Sequence, residues 1–232
     1  MAEVQVEVRP GWMKSQAGVP YPPEPWFLGG ALAGAVYFVP VSQLPRELLE
    51  HIPADHQLVT FGGRVPVSVC FVHYGPGSVL SYEELLVAVP VRRGLRFRVS
   101  IFQIWVDSPS SVAGGRGLWC IPKELANFER DRDEARLHTV MRSGNVEVAT
   151  LDAQLGGAMI PGRWTFPLTT AQRLGGREVI SSNLIVGRPR RLRASFRFAE
   201  NGPLAWLNNR RPWFGILIDD AAIAFGQRVN RR

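Results

Sequence analysis

Lysine is nearly missing from this 232-residue chain. Lys14 and Lys123 are its two lysines, against 25 arginines, although basic residues outnumber acidic ones 27 to 20. Arginine therefore supplies charge wherever charge alone is wanted. It cannot supply a neutral amine, because a guanidinium stays protonated in proteins. A lysine within an apolar stretch is then a candidate for amine chemistry. Lys123 is such a lysine, in Leu118-Trp119-Cys120-Ile121-Pro122-Lys123-Glu124-Leu125.

Cysteine is scarce as well. Cys70 and Cys120 lie inside apolar runs. Two are too few for a disulfide framework and lack metal-site spacing, which fits a reduced, cytoplasmic setting. The four histidines are scattered; His51 and His56 are five apart, wrong for one helix face, so no metal site is expected. Met1-Ala2-Glu3-Val4 has no basic region leading into an apolar one, so no signal peptide is expected. The stretch Trp26 to Leu44 is uncharged but interrupted by Gly29, Gly30, Gly34 and Pro40. Its dense apolar part is shorter than the roughly 20 residues a membrane helix needs. It reads as a buried strand with a Gly-rich lead-in.

Long helical patterns are also missing. Residues 1–25 are rich in Pro and Gly and read as an extended N-terminal arm; residues 26–232 follow as one domain. Ser42 to His51 reads as a short helix, and a second is expected from Pro122 through Phe128. Strand-like runs are Val65–His73, Leu85–Val91, Leu95–Val106, Leu137–Met141, Val146–Leu151, Leu192–Phe198 and Phe214–Ala224. Turn signals such as Gly75-Pro76-Gly77, Ser143-Gly144-Asn145 and Gly175-Gly176 separate them. This pattern predicts a mainly β (α+β) chain, an antiparallel barrel or sandwich with a few short helices, and argues against a doubly wound fold.

Several functions are excluded by what is not there. Gly114-Gly115-Arg116-Gly117 lacks the spacing and the lysine of a phosphate-binding loop. No serine sits in a nucleophile elbow. The arginines of the last third, Arg190 to Arg197 above all, alternate with apolar residues as on a half-buried strand. A solvated or intersubunit face accounts for them better than nucleic acid does.

Three segments remain: Tyr82-Glu83-Glu84 leading into Leu85 to Val91, then Val112-Ala113-Gly114-Gly115-Arg116, then Pro122-Lys123-Glu124-Leu125-Ala126. In order and spacing they resemble the acetoacetate decarboxylase-like family over about 45 residues, Tyr82 to Ala126. The resemblance implies that family's β-barrel or cone and a homo-oligomer. It also implies a carbon–carbon lyase acting on a small-molecule ketone or keto acid. Lys123 would be the Schiff-base nucleophile, Glu84 the proton shuttle, and Arg116, Tyr82 and Trp119 substrate-binding residues. No metal or organic cofactor is called for, because the lysine's iminium is the electron sink. An aldolase-dehydratase on a larger keto acid and a non-catalytic binding protein on the same fold are the alternatives.

The resemblance also has gaps. Glu124 replaces the motif's second lysine, and Gly117 replaces a glutamate. The family's N-terminal arginine would fall within Gly29 to Ala35, where there is none. A second carboxylate is absent from Val67 to Phe71, with Cys70 near its place. A free lysine has a pKa of about 10.4, and a nucleophilic one must reach about 7–8, a shift of roughly 4 kcal/mol. In this family the shift is ascribed to an apolar pocket or a second cation. With Glu124 beside Lys123, desolvation is the expected route. Acetoacetate itself is then a poor candidate substrate.

Overall fold

The computed structural model describes residues 9–232; the first eight residues of the expected arm lie outside that range. The remainder of the arm is extended. It forms a two-strand hairpin, β1 (Met13–Lys14) with β2 (Pro20–Tyr21), and it buries Tyr21.

The strands that follow are β3 (Trp26–Pro40), β4 (Gln57–Leu58), β5 (Arg64–Tyr74), β6 (Tyr82–Arg93) and β7 (Arg96–Val106). After helix α1 (Pro109–Trp119) come β8 (Lys123–Leu125), β9 (Asn127–Arg132), β10 (Arg136–Ser143) and β11 (Val146–Ala158). The chain ends with β12 (Trp164–Leu174), β13 (Arg177–Phe198) and β14 (Phe214–Arg231). Among the described residues, β3 to β14 make one twelve-stranded sheet, in the order β12-β7-β6-β5-β3-β14-β13-β11-β10-β9. β4 joins at β6 and β8 at β7. Pairing of β12 with β13 closes seven strands into a ring. The sheet is mixed: β7 runs parallel to β12 and β8, and the other pairs are antiparallel.

The uncharged stretch from Trp26 is a strand with protein on both faces. Ala31, Ala33, Ala35, Tyr37 and Val39 pack into one apolar core. Trp26, Leu28 and Leu32 pack into a second. β5 and β6 split in the same way, with Val67, Val69, Leu85 and Val87 on the first core and Cys70, Tyr74, Leu86 and Ala88 on the second. A strand covered on both faces has no polar side to show, so its sequence is continuously apolar. The second core fills the closed ring. Among the described residues no helix is long and apolar enough to cross a membrane.

Ser42 to His51 is helical as expected, in two short 3-10 turns, Val41–Gln43 and Arg46–His51. The helix expected from Pro122 is replaced by strands β8 and β9. Arg190 to Arg197 lies within β13; Arg191, Arg193 and Arg197 are exposed and Leu192 is buried, while Arg190 is half-buried and pairs with Asp219.

β3 and β5 approach closely at Gly30, where an added Cβ would lie 1.8 Å from the His73 carbonyl oxygen. At Gly29 it would meet its nearest neighbour, the Ala221 carbonyl oxygen, at 3.7 Å. Gly30→Ala is expected to cost about 1–3 kcal/mol or more through overpacking, seen as a fall of several degrees in Tm. Gly29→Ala serves as the matched control, with little change.

Candidate active site

Lys123 owes its position to a short excursion of the chain. After β7, Ser108 caps α1 by accepting a hydrogen bond from the Ser111 amide (3.2 Å), and Pro109 fills the first turn. Cys120 ends the helix in the left-handed conformation, with φ 55°. The chain then returns beside β7 as β8, pairing Lys123 with Ile104. The helix's glycines are there for clearance. An added Cβ would stand 2.3 Å from the Trp26 ring at Gly114, and 2.7 Å from the Lys123 side chain at Gly115.

Lys123 and Glu84 are each 3% exposed. The ammonium Nζ donates to Glu84 Oε2 at 2.7 Å, to Ser111 Oγ at 2.9 Å and to the Tyr82 hydroxyl at 3.2 Å. Three protons thus meet three acceptors. Tyr74 donates to the other Glu84 oxygen at 3.2 Å. Tyr82 and Glu84 share a face of β6 because side chains alternate. Glu83 takes the opposite face and pairs with His73.

Burial pulls the Lys123 pKa down, but the Glu84 carboxylate and Tyr82 pull harder, and the net direction is upward. The expected lowering by desolvation is therefore outweighed in this resting arrangement. Burial also raises the Tyr74 and Tyr82 hydroxyls, so both stay protonated. The worry over Glu124 disappears with the helix at Pro122: in an extended β8, Glu124 is exposed and Lys123 is buried.

Lys123, Glu84, Tyr82 and Trp119 line one cavity of about 230 Å³ inside the closed ring. Leu32 and Cys70 line it too, in the regions where an arginine and a second carboxylate were missed in the sequence. Among the described residues lining the cavity, Lys123 is the one cation. Trp119 is wedged edge-on between Trp26 and Phe225, with ring centroids 4.8 and 4.7 Å away. Arg116, expected among the substrate-binding residues, lies outside this lining. It is exposed, and its Nε donates to the Lys123 backbone carbonyl at 2.7 Å, so it holds β8 in place. Ser111 and Tyr74 were not singled out in the sequence. Ser108-Pro109 signals a helix start and could have led to Ser111; nothing local marks Tyr74.

Glu84→Gln removes the group that most raises the Lys123 pKa and leaves burial, which lowers it. The neutral amine should then appear at lower pH than in the wild type. Reductive methylation of Lys123, followed by mass spectrometry across a pH series, should begin at lower pH in the variant. An unchanged or higher onset would contradict this account of the pair.

The acetoacetate decarboxylase (ADC) family matches residues 53–177, more than half of the chain. The acetoacetate decarboxylase of Legionella pneumophila subsp. pneumophila superposes with a TM-score of 0.68 at 16% identity, over 100% of this chain and 98% of the other. The enduracididine biosynthesis enzyme MppR, solved in complex with pyruvate, gives 0.66 at 14% identity over 90% of each chain. An acetoacetate decarboxylase-like enzyme from Sphingomonas wittichii RW1 gives 0.63 at 12% identity over 94% of each. At such identities the likeness establishes the shared fold. No curated protein matches the sequence. With that fold and a family match over more than half of its length, the chain belongs to the acetoacetate decarboxylase family.

Proposed function

We propose that this chain is a Schiff-base-forming carbon–carbon lyase acting on a ketone or keto acid other than acetoacetate. The observation that carries the reading is the buried Lys123–Glu84 pair on the wall of an apolar cavity. Taking two ions out of water costs several kcal/mol each, and a site that only binds apolar ligands has no need of them.

The pair shares one mobile proton across 2.7 Å. Its transfer to Glu84 gives a neutral amine and a carboxylic acid. The amine adds to the substrate carbonyl, forming the C–N bond. Glu84 returns the proton to the departing hydroxyl, so water leaves and an iminium remains. In a 3-oxo acid the bond to the carboxylate then breaks. Its electron pair moves into the iminium to give an enamine, and carbon dioxide departs. Protonation of the enamine carbon and addition of water release the ketone and the amine, with one proton consumed overall. Tyr82 and Ser111 hold Nζ in line, and Tyr74 fixes the Glu84 carboxylate.

The lack of a further cation favours bond cleavage. A substrate carboxylate beside Glu84, in apolar surroundings, is destabilised relative to neutral carbon dioxide. Aldol addition and dehydration through the same iminium form a second reading. It is supported by the fold neighbour MppR, solved with the condensation product of pyruvate and imidazole 4-carboxaldehyde.

Borohydride reduction in the presence of a ketone is expected to add the ketone's mass less one oxygen to the Lys123 peptide of the wild type and nothing to the corresponding peptide of Lys123→Ala. Equal labelling of the two would end the proposal. Glu84→Gln should slow turnover by about 10²–10⁴-fold, the contribution of a positioned acid–base group.

A further inference from the structure

The cavity is strongly unequal end to end. Lys123, Glu84, Tyr82 and Tyr74 crowd one end. Along β6 the row that begins with Tyr82 and Glu84 continues inside the cavity as Leu86 and Ala88. From Glu84 to Ala88 is four residues, about 13 Å at the rise of a strand. The facing walls come from Leu32 of β3 and Val99 and Ile101 of β7.

The other polar side chains of the lining have little to offer a charged group. Asn183 is fully engaged: its Oδ1 accepts from Ser181 Oγ and the Gly226 amide, and its Nδ2 donates to Thr170 Oγ1 and the Ser181 carbonyl. Burial pushes the Cys70 thiol up to about 12, so it stays neutral. Ser68 adds a neutral hydroxyl.

The two ends also differ in exposure. The lysine end is sealed by α1 and β8, whereas Leu32, Ser68, Val99 and Leu168 are half-buried. The wall row Ile101–Val99 continues along the same face of β7 as Phe97 and reaches Leu95 in the turn before it; these two are 67% and 93% exposed. An apolar strip therefore runs from inside the cavity to the tip of the β6–β7 hairpin.

Resting on the Schiff-base reading of Lys123, we infer that the substrate is an oxo compound with an uncharged apolar tail. The tail lies along β6, away from Lys123, and enters past the Phe97–Leu95 end. A cavity that holds benzene, six carbons, measures about 150 Å³. By that scale about 230 Å³ holds roughly nine carbons. Each buried methylene is worth about fourfold in affinity (~0.8 kcal/mol).

The test separates the tail from the imine. Binding of 2-alkanones to Lys123→Met is followed by fluorescence of Trp26 and Trp119, which line the cavity. Affinity should climb about fourfold per methylene from acetone and level off near 2-nonanone. Ala88→Phe in the same background should cut the 2-nonanone-to-acetone affinity ratio tenfold or more. Ser68→Leu should move it the same way, and covers the case in which Ala88→Phe does not fold. A flat chain-length series, tighter binding of 2-oxoglutarate than of 2-nonanone, or an unchanged ratio in both variants overturns the inference. Chain-length-dependent binding to Lys123→Met upholds the tail even when the wild type traps no ketone with borohydride. That pair of results removes the Schiff-base reading alone.

Discussion

An ammonium and a carboxylate held 2.7 Å apart with almost no water access set the terms for this structure. Removing one partner of such a pair strands the other charge in a medium that cannot solvate it. The surroundings are arranged to prevent that. Ser111 arrives from α1, Tyr82 and Glu84 from β6, and Tyr74 from β5. Arg116 anchors the backbone of Lys123 from behind. With β8, which carries Lys123, four elements thus converge on two charges, and their relative positions are fixed because every donor of the ammonium is in use.

The pair also ties chemistry to architecture. Lys123 reaches Glu84 because the chain turns from β7 through α1 and comes back parallel to β7. That return is tight, and the glycines of α1 make it possible. Gly115 leaves room for the lysine side chain, and Gly114 does the same for Trp26. Glycine normally weakens a helix by about 1 kcal/mol relative to alanine. Here that weakening is offset by the close approach it allows.

The strands were legible in the sequence wherever one face met a core and the other met solvent, as in the arginine-bearing part of β13. β3 was legible through the opposite signal, an uncharged run too broken for a membrane helix. Lys123 stood out through composition and Glu84 through the family resemblance, and the structure brings them together. Helix α1 was obscured because its three glycines answer to tertiary contacts that no local propensity records. The helix expected at Pro122 is a strand because pairing with β7 overrides a short helical preference. Arg116 looked like a ligand for substrate because a charged residue in a motif carries no information about which way it points. Tyr74 could not be found locally: it meets Glu84 across the β5–β6 pairing, ten residues away.

The shared walls have a further consequence for how such a protein can change. β3, β5 and β6 each present one face to the cavity and the other to a separate apolar core. Backbone shifts that would widen the cavity therefore disturb the packing of the first core, on the other face of the same strands. Adaptation to a new substrate by moving strands carries a stability cost on both sides of the sheet. Adaptation by exchanging side chains at positions such as Ser68, Val99 and Leu168 does not, because those residues are half-buried and outside the ion pair's hydrogen bonds. Diversification within this architecture should accordingly concentrate in the tail-binding end, and the lysine end should stay as it is.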